Sequence, residues 1–321
     1  MKLSLIAFTL GALGMLQVAS AAAPQIKKQA PGYYRFMVGD IEVTALLDGT
    51  FSMKPGDMLA NAKPAEVTRL LAQAYEGPAV IASVNGFLIN TGTKLVLIDT
   101  GTGKFMGPTV GHLLENLKES GYQPEQVDEI YLTHMHSDHL GGLTTDGKKN
   151  YPNAVLRADR HESEFWLSDA EAAKASNPLM KSMFGNAKSV IGVYQADGKF
   201  QTFDGETELV PGVHAHSAYG HTAGHTVYTI ESKSQKLWLF GDMIHVAAVQ
   251  FPNPAATMVF DWNAKLAASE RMKDFTQAAK ANDLIGAAHL SFPGVGHIRK
   301  LASGFAFTPL AYAPVPLATA N

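Results

Sequence analysis

The chain has 321 residues, 46% hydrophobic and 17% charged, the size and composition of one large globular domain or two small ones and not of a disordered chain. A net charge of −3 with neutral histidines argues against a nucleic-acid partner, because phosphate binding calls for a basic face. The absence of cysteine excludes disulfides, a thiolate nucleophile and a thiolate-held zinc ion, so any metal must sit on nitrogen and oxygen, and the 12 histidines become the residues to follow.

Residues 1–21 read as a signal peptide. Lys2 gives a positive start, residues 3–16 are apolar, and Ala19-Ser20-Ala21 fits a small-residue cleavage site, with cleavage as late as 23 on Ala21-Ala22-Ala23. The apolar run is short for spanning a bilayer, and no later segment is long and apolar enough. The expectation is a secreted or periplasmic bacterial protein with no stable membrane association. Its mature part is a single domain over 22–321.

Short apolar strands then alternate with amphipathic helices. Residues 41–47 alternate at period two, with Asp48-Gly49 as the closing turn. Strands are expected at 80–89, 95–98, 127–132 and 154–158, and a helix at 110–118, capped by Gly121. Residues 169–198 lack the strand pattern and read as a helical or irregular insertion near the active site. Strands resume at 226–230 and 237–240. A helix follows at 264–279 and a last buried strand at 284–288, and the Pro- and Ala-rich tail from Ala311 is expected to be loosely ordered. Two runs of strands with helices between and after them predict an α/β fold, an αββα sandwich of two facing mixed β-sheets with outer helices. A doubly wound parallel sheet competes, weakened by the lack of a Gly-rich phosphate loop after the first strands.

The strongest local signal is Thr133-His134-Met135-His136-Ser137-Asp138-His139, directly after the strand Glu129-Ile130-Tyr131-Leu132. There a tight turn can aim three imidazoles and a carboxylate at one point, a set suited to Zn²⁺ or another borderline divalent ion. A loop with one histidine is usually just a polar loop; four ligands in this order, followed by Gly141-Gly142, are not. Further on, Gly224 permits a tight turn beside His225, and the strand Leu237-Trp238-Leu239-Phe240 ends in Gly241-Asp242. A carboxylate there is costly to bury unless paired or metal-bound. Ile285-Gly286-Ala287-Ala288 ends in His289, which is preferred to His297 because it ends the buried strand. His112, His161, His214, His216 and His221 read as structural or surface histidines.

This set of motifs, an HxHxDH block, a distant histidine after a TxGH turn, a Gly-Asp step and a late histidine, resembles the metallo-β-lactamase superfamily over nearly the whole mature chain. The resemblance implies that His134, His136 and His225 hold one metal ion, that Asp138, His139 and His289 hold a second, and that Asp242 bridges both. Zn is the expected metal, with Mn, Co or Fe also compatible with such ligands. It further implies a shared water whose pKa falls to about 7, giving a bridging hydroxide as nucleophile. Asp138 and Asp242 are candidates to accept or relay a proton. Asp99, in Leu97-Ile98-Asp99-Thr100-Gly101, matches a further family motif and is expected to orient a ligand histidine, with a plain turn aspartate as the competing reading.

Within the superfamily, Asp138 with His139 looks like glyoxalase II, lactonases, RNA-processing nucleases and organophosphate hydrolases, of which charge and export disfavour the nucleases. Residues 31–35, 121–131, 246–251 and 287–299 resemble the methyl parathion hydrolase branch, which includes phosphotriesterases and enzymes acting on lactones and aryl esters such as dihydrocoumarin. His245 stands where the parathion enzyme would carry an apolar residue, and Leu59, Met258 and Phe260 also differ. These departures imply hydrolysis of lactones and aryl esters, with organophosphate triester hydrolysis as a side activity. A phosphotriesterase is the alternative, followed by an iron-dependent persulfide dioxygenase and a non-catalytic zinc-binding protein. The expected substrate pocket is aromatic and apolar, built from Leu59, Phe105, Met106, Trp166, Phe184, His245, Met258, Phe260 and Phe292, and suits a small neutral ester, lactone or phosphotriester. A homodimer is common in such enzymes, but the sequence does not give the oligomeric state.

Overall fold

The first strands pair in the order in which the chain makes them. The computed structural model describes residues 23–315, so the expected signal peptide at 1–21 lies outside the described residues. In it β1 (Tyr33–Val38), β2 (Ile41–Met53), β3 (Val80–Asn90), β4 (Leu95–Ile98), β5 (Glu129–Tyr131), β6 (Val155–Asp159) and β7 (Phe200–Phe203) lie side by side in one seven-stranded sheet. β1 to β4 are antiparallel, and β4 to β7 run parallel. β8 (Thr207–Val210), β9 (Val213–Ser217), β10 (Thr226–Ser232), β11 (Gln235–Leu239), β12 (Leu284–Gly286), β13 (Val295–Lys300) and β14 (Phe305–Pro309) form a second seven-stranded sheet, again in chain order. There only the β11–β12 pair is parallel.

Parallel neighbours need crossovers, and the helices supply them. α1 (Pro64–Gln73) precedes β3, α2 (Leu113–Glu119) links β4 to β5, and α3 (Arg160–Trp166), α4 (Asp169–Lys174) and α5 (Pro178–Ala196) link β6 to β7. α6 (Ala264–Ala281) links β11 to β12. Val43, Ile89, Ile98 and Tyr131 of the first sheet pack on Val213, Tyr228, Ile230 and Leu239 of the second. The outer face of the first sheet buries Leu97, Ile130 and Leu156 under Leu117 of α2 and Val190 and Ile191 of α5. Trp238 and Ile285 of the second lie under Phe275 and Ala278 of α6. This is the αββα sandwich. Among the described residues, 31–315 form one compact unit, while residues 23–30 are exposed and carry no helix or strand. No helix among the described residues is long and apolar enough to cross a membrane.

Two expectations change, while the helical reading of 169–198 agrees with the structure. Asp48-Gly49 is not a closing turn but a bulge within β2, where the register with β3 shifts. Gly49 sits at φ +145°, and a Cβ there would meet the Thr109 carbonyl at 2.2 Å. The buried Asp48 carboxylate accepts the Thr102, Gly111 and Leu113 amides, which fixes the loop after β4. The strand near 284–288 is shorter and not the last, because β13 and β14 follow it. Residues 169–198 are mostly the helices α4 and α5; α5 buries Phe184, Ala187, Val190, Ile191 and Tyr194, a stripe at helical spacing.

Candidate metal centre

The parallel strands end side by side, and the loops leaving β4, β5, β11 and β12 meet with the β9–β10 turn at one edge of the sandwich. Two groups of ligand atoms form there, each with all its atoms within 4.8 Å of one another. One is His134, His136, His221 and Asp242; the other is Asp138, His139, Asp242 and His289. Asp242 belongs to both. Its Oδ2 lies 3.7 Å from His134 Nε2, 3.4 Å from His221 Nε2 and 3.2 Å from His289 Nε2, and its Oδ1 lies 3.1 Å from His139 Nε2.

His225, expected as a ligand, is outside both groups, and His221 takes the place assigned to it. The sequence offers Gly-His-Thr twice, at 220–222 and 224–226, and the spacing alone does not choose between them. The fold chooses. His225 directly precedes β10, and its Nε2 accepts the Asp242 backbone N–H at 3.1 Å, so it supports the backbone that carries the carboxylate shared by both groups. His221 sits in the turn itself, with Nδ1 on Asp261 at 2.7 Å and Nε2 facing His136 Nδ1 at 3.2 Å. Asp261 is the other residue that the sequence reading missed; nothing local marks it, because it meets His221 from 40 positions away.

The other ligands are held in the same manner. Asp99 Oδ2 lies 2.8 Å from His139 Nδ1, and Asp99 also accepts the Thr133 amide and hydroxyl. His289 Nδ1 donates to the Ser83 carbonyl, and His134 Nδ1 meets the Thr133 hydroxyl. Each contact fixes one ring nitrogen and turns the other inward. His297, the rival of His289, lies on β13 with Nδ1 on the Asp283 carbonyl, away from both groups.

The donor set fits two divalent ions. His134 Nε2, His139 Nε2 and Asp242 Oδ1 are buried without a hydrogen-bond partner and face the groups just described. Polar atoms so buried are costly unless something satisfies them. Burial, reinforced by neighbouring imidazoles, holds His134 and His136 well below the usual histidine range, so both offer neutral lone pairs. Burial would raise Asp242, but His139, His289, His245 and His134 hold it well below the usual carboxylate range. Burial would also depress His139, yet Asp242, Asp99 and Asp138 carry it well above.

A cavity of about 230 Å³ opens onto this centre. Of the expected pocket residues, Phe105, Met106, His245 and Phe260 line it. Trp166 and Phe184 pack together in the core beneath the first sheet, although the Trp166 ring stands edge-on to His136. Leu59 and Met258 do not line it but pack in the apolar cluster behind Phe51, Met53, Met58 and Phe260 of its wall, and Phe292 packs against the core between the sheets. The rest of the wall comes from residues that single-residue chemistry does not mark: Phe51, Met53 and Met58, with Leu179, Ser182, Met183 and Asn186 at helical spacing on α5. No lysine or arginine is among the lining residues. His245 is 4% exposed, and neither ring nitrogen has a hydrogen-bond partner, although Nε2 lies 3.0 Å from Asp242 Oδ2. Burial lowers its pKa to about 4 against the pull of Asp242.

Comparison with known proteins agrees with this geometry. The family profile described as the metallo-beta-lactamase superfamily matches residues 81–279. A crystal structure of AbOPH, a hydrolase of the beta-lactamase superfamily, is similar at 36% identity and a TM-score of 0.85, covering 89% of this chain and all of that one. AidC, a dizinc quorum-quenching lactonase solved with a product, N-hexanoyl-L-homoserine, is similar at 26% identity and a TM-score of 0.80, covering 88% of this chain and 99% of its own. An N-acyl homoserine lactonase from Bacillus sp is 27% identical over 213 residues, 60% of this chain and 76% of that protein.

Proposed function

The chain belongs to the metallo-β-lactamase superfamily, and from that premise we propose that it is a two-metal hydrolase of neutral lactones and aryl esters, with hydrolysis of organophosphate triesters as a side activity. The observation that carries this reading is Asp242, shared by two nitrogen-and-oxygen ligand groups on the floor of an apolar cavity without a fixed cation. His134, His136 and His221 would hold one ion, Asp138, His139 and His289 the other, and Asp242 both. Bound there, two divalent ions would supply a water activated at neutral pH and polarisation of the oxygen under attack. The protein supplies the placement: Asp99 and Asp261 orient His139 and His221, and His225 holds the Asp242 backbone. Phe51, Phe105, Met106, Met183 and Phe260 give a neutral acyl or aryl group an apolar wall that excludes water. The lactonases among the similar proteins favour lactones, N-acyl homoserine lactones included. Zn is the proposed metal.

The test is metal analysis of the purified protein, together with kcat/KM for dihydrocoumarin, an N-acyl homoserine lactone and methyl paraoxon. Two ions per chain, a preference for the lactones and loss of activity on chelation are expected. A clear preference for the phosphotriester reverses the order of activities, and full activity after complete chelation sinks the two-metal reading. Two more proposals come from the sequence and its family resemblance. Residues 1–21 direct export, which N-terminal sequencing of the mature protein checks; the enzyme is a homodimer, which light scattering checks.

A further inference from the structure

Glu162 lies in the first turn of α3, fully buried, with no ion pair among the described residues. A carboxylate in that position is costly unless donors surround it. Three do. Oε1 accepts the Met135 N–H at 2.8 Å, and Oε2 accepts the Thr222 hydroxyl at 2.7 Å and the Gly224 N–H at 2.8 Å. Met135 stands between His134 and His136, and Thr222 follows His221. One carboxylate therefore ties the loop after β5 to the β9–β10 turn, the two segments that bring the three imidazoles of the first group together.

The approach is close. A Cβ on Gly224 would lie 2.2 Å from Glu162 N, so glycine lets the turn rest on α3. His221 Nε2 and His136 Nδ1 lie 3.2 Å apart, within hydrogen-bond reach, so the two rings must be held in register for one ion to meet both. A backbone hydrogen bond, Thr226 N–H to the Thr133 carbonyl, also joins the two segments, beside His134 but four residues beyond Thr222.

We infer that Glu162 is a positioning residue for the first metal group: its carboxylate holds His134 and His136 in register with His221 and so sets that group's affinity for a divalent ion. This rests on the two-metal reading proposed above. A glutamine would not serve. Its amide nitrogen would face two donors in place of Oε2, and while the Thr222 hydroxyl can turn to accept, the Gly224 N–H cannot.

The experiment compares wild type, Glu162→Gln and the milder Thr222→Val, which removes one donor. Each protein is stripped and titrated with Zn²⁺, following ions bound per chain and the rise in Tm on loading. Affinity for one of the two ions is expected to fall about ten- to a hundredfold in Glu162→Gln, as is usual when a partner of a ligand loop is lost, and less in Thr222→Val. The rise in Tm on loading shrinks accordingly. If both variants bind two ions with wild-type affinity and lose the same Tm stripped and loaded, Glu162 is merely structural and the inference is overturned. If Glu162→Gln does not fold, Thr222→Val decides by the same two criteria. A wild type that takes up no ion sinks the two-metal reading instead.

Discussion

Asp261 Oδ1 lies 2.7 Å from His221 Nδ1 and turns the opposite ring nitrogen toward Asp242. Asp261 is itself fixed, since its Oδ2 accepts the Met258 N–H at 2.8 Å. The arrangement repeats that of Asp99 and His139, so each half of the centre contains an imidazole oriented by a carboxylate outside it.

The first prediction separates the two histidines of the Gly-His-Thr repeats. His221→Ala should bind one ion per chain in place of two and lose lactone hydrolysis by three orders of magnitude or more. His225→Ala removes an acceptor from the Asp242 amide but no ligand, so it should keep two ions and lose about tenfold. Metal content of the two variants, measured side by side, checks this. Loss of an ion from His225→Ala with retention in His221→Ala would restore the assignment read from sequence.

Asp99→Asn tests the orienting carboxylates. Asp99 sits at φ +58°, which asparagine tolerates, so the substitution changes charge without straining the backbone. His139 then loses the acceptor that fixes its ring, and affinity at the second group should fall about ten- to a hundredfold. Competition against a chelator of known affinity reads this directly. Unchanged affinity would leave Asp99 as a turn residue alone.

These two cases show what the sequence carries. Ligands delivered at strand ends were legible because a strand's end and its next residue are adjacent in the chain, as with His134, Asp242 and His289. His221 and Asp261 were not, since their pairing depends on the packing of the β9–β10 turn against the segment before α6. The two sheets were legible from alternating apolar runs, but β13 was missed because Gly296, Arg299 and Lys300 interrupt its pattern. The cavity wall was least legible. Trp166 and Phe184 have the right chemistry and lie in the core, whereas Met53 and Met183 reach the cavity because of where β2 and α5 pass.

His245 combines cavity lining with unpartnered ring nitrogens, so its substitution should act on substrate and not on metal. His245→Leu keeps the volume and removes the polar edge. Two ions are expected to remain bound, while kcat/KM for dihydrocoumarin falls about tenfold, the worth of one hydrogen bond of about 1.4 kcal/mol. The ratio of kcat/KM for dihydrocoumarin to that for methyl paraoxon should fall with it. An unchanged ratio would show that His245 does not touch the substrate.

The last prediction concerns stability. Asp274 lies in α6, 3% exposed, and its closest ion-pair partner is Lys273 Nζ at 3.9 Å. Burial pushes its carboxyl up to about 7, with Lys273 opposing and Glu270 and Glu206 adding to the rise. The unfolded chain releases that proton near pH 4. Between about pH 4 and 7 the folded state thus binds a proton that the unfolded state has lost, and stability falls as pH rises through the window. Asp274→Asn removes this dependence. At pH 8 it should be more stable than wild type by about 2–4 kcal/mol, several degrees in Tm, and at about pH 3.5 the difference should all but vanish. Thermal melts across pH check it, and an equal Tm difference at both ends would show that ionisation of Asp274 is not the cause.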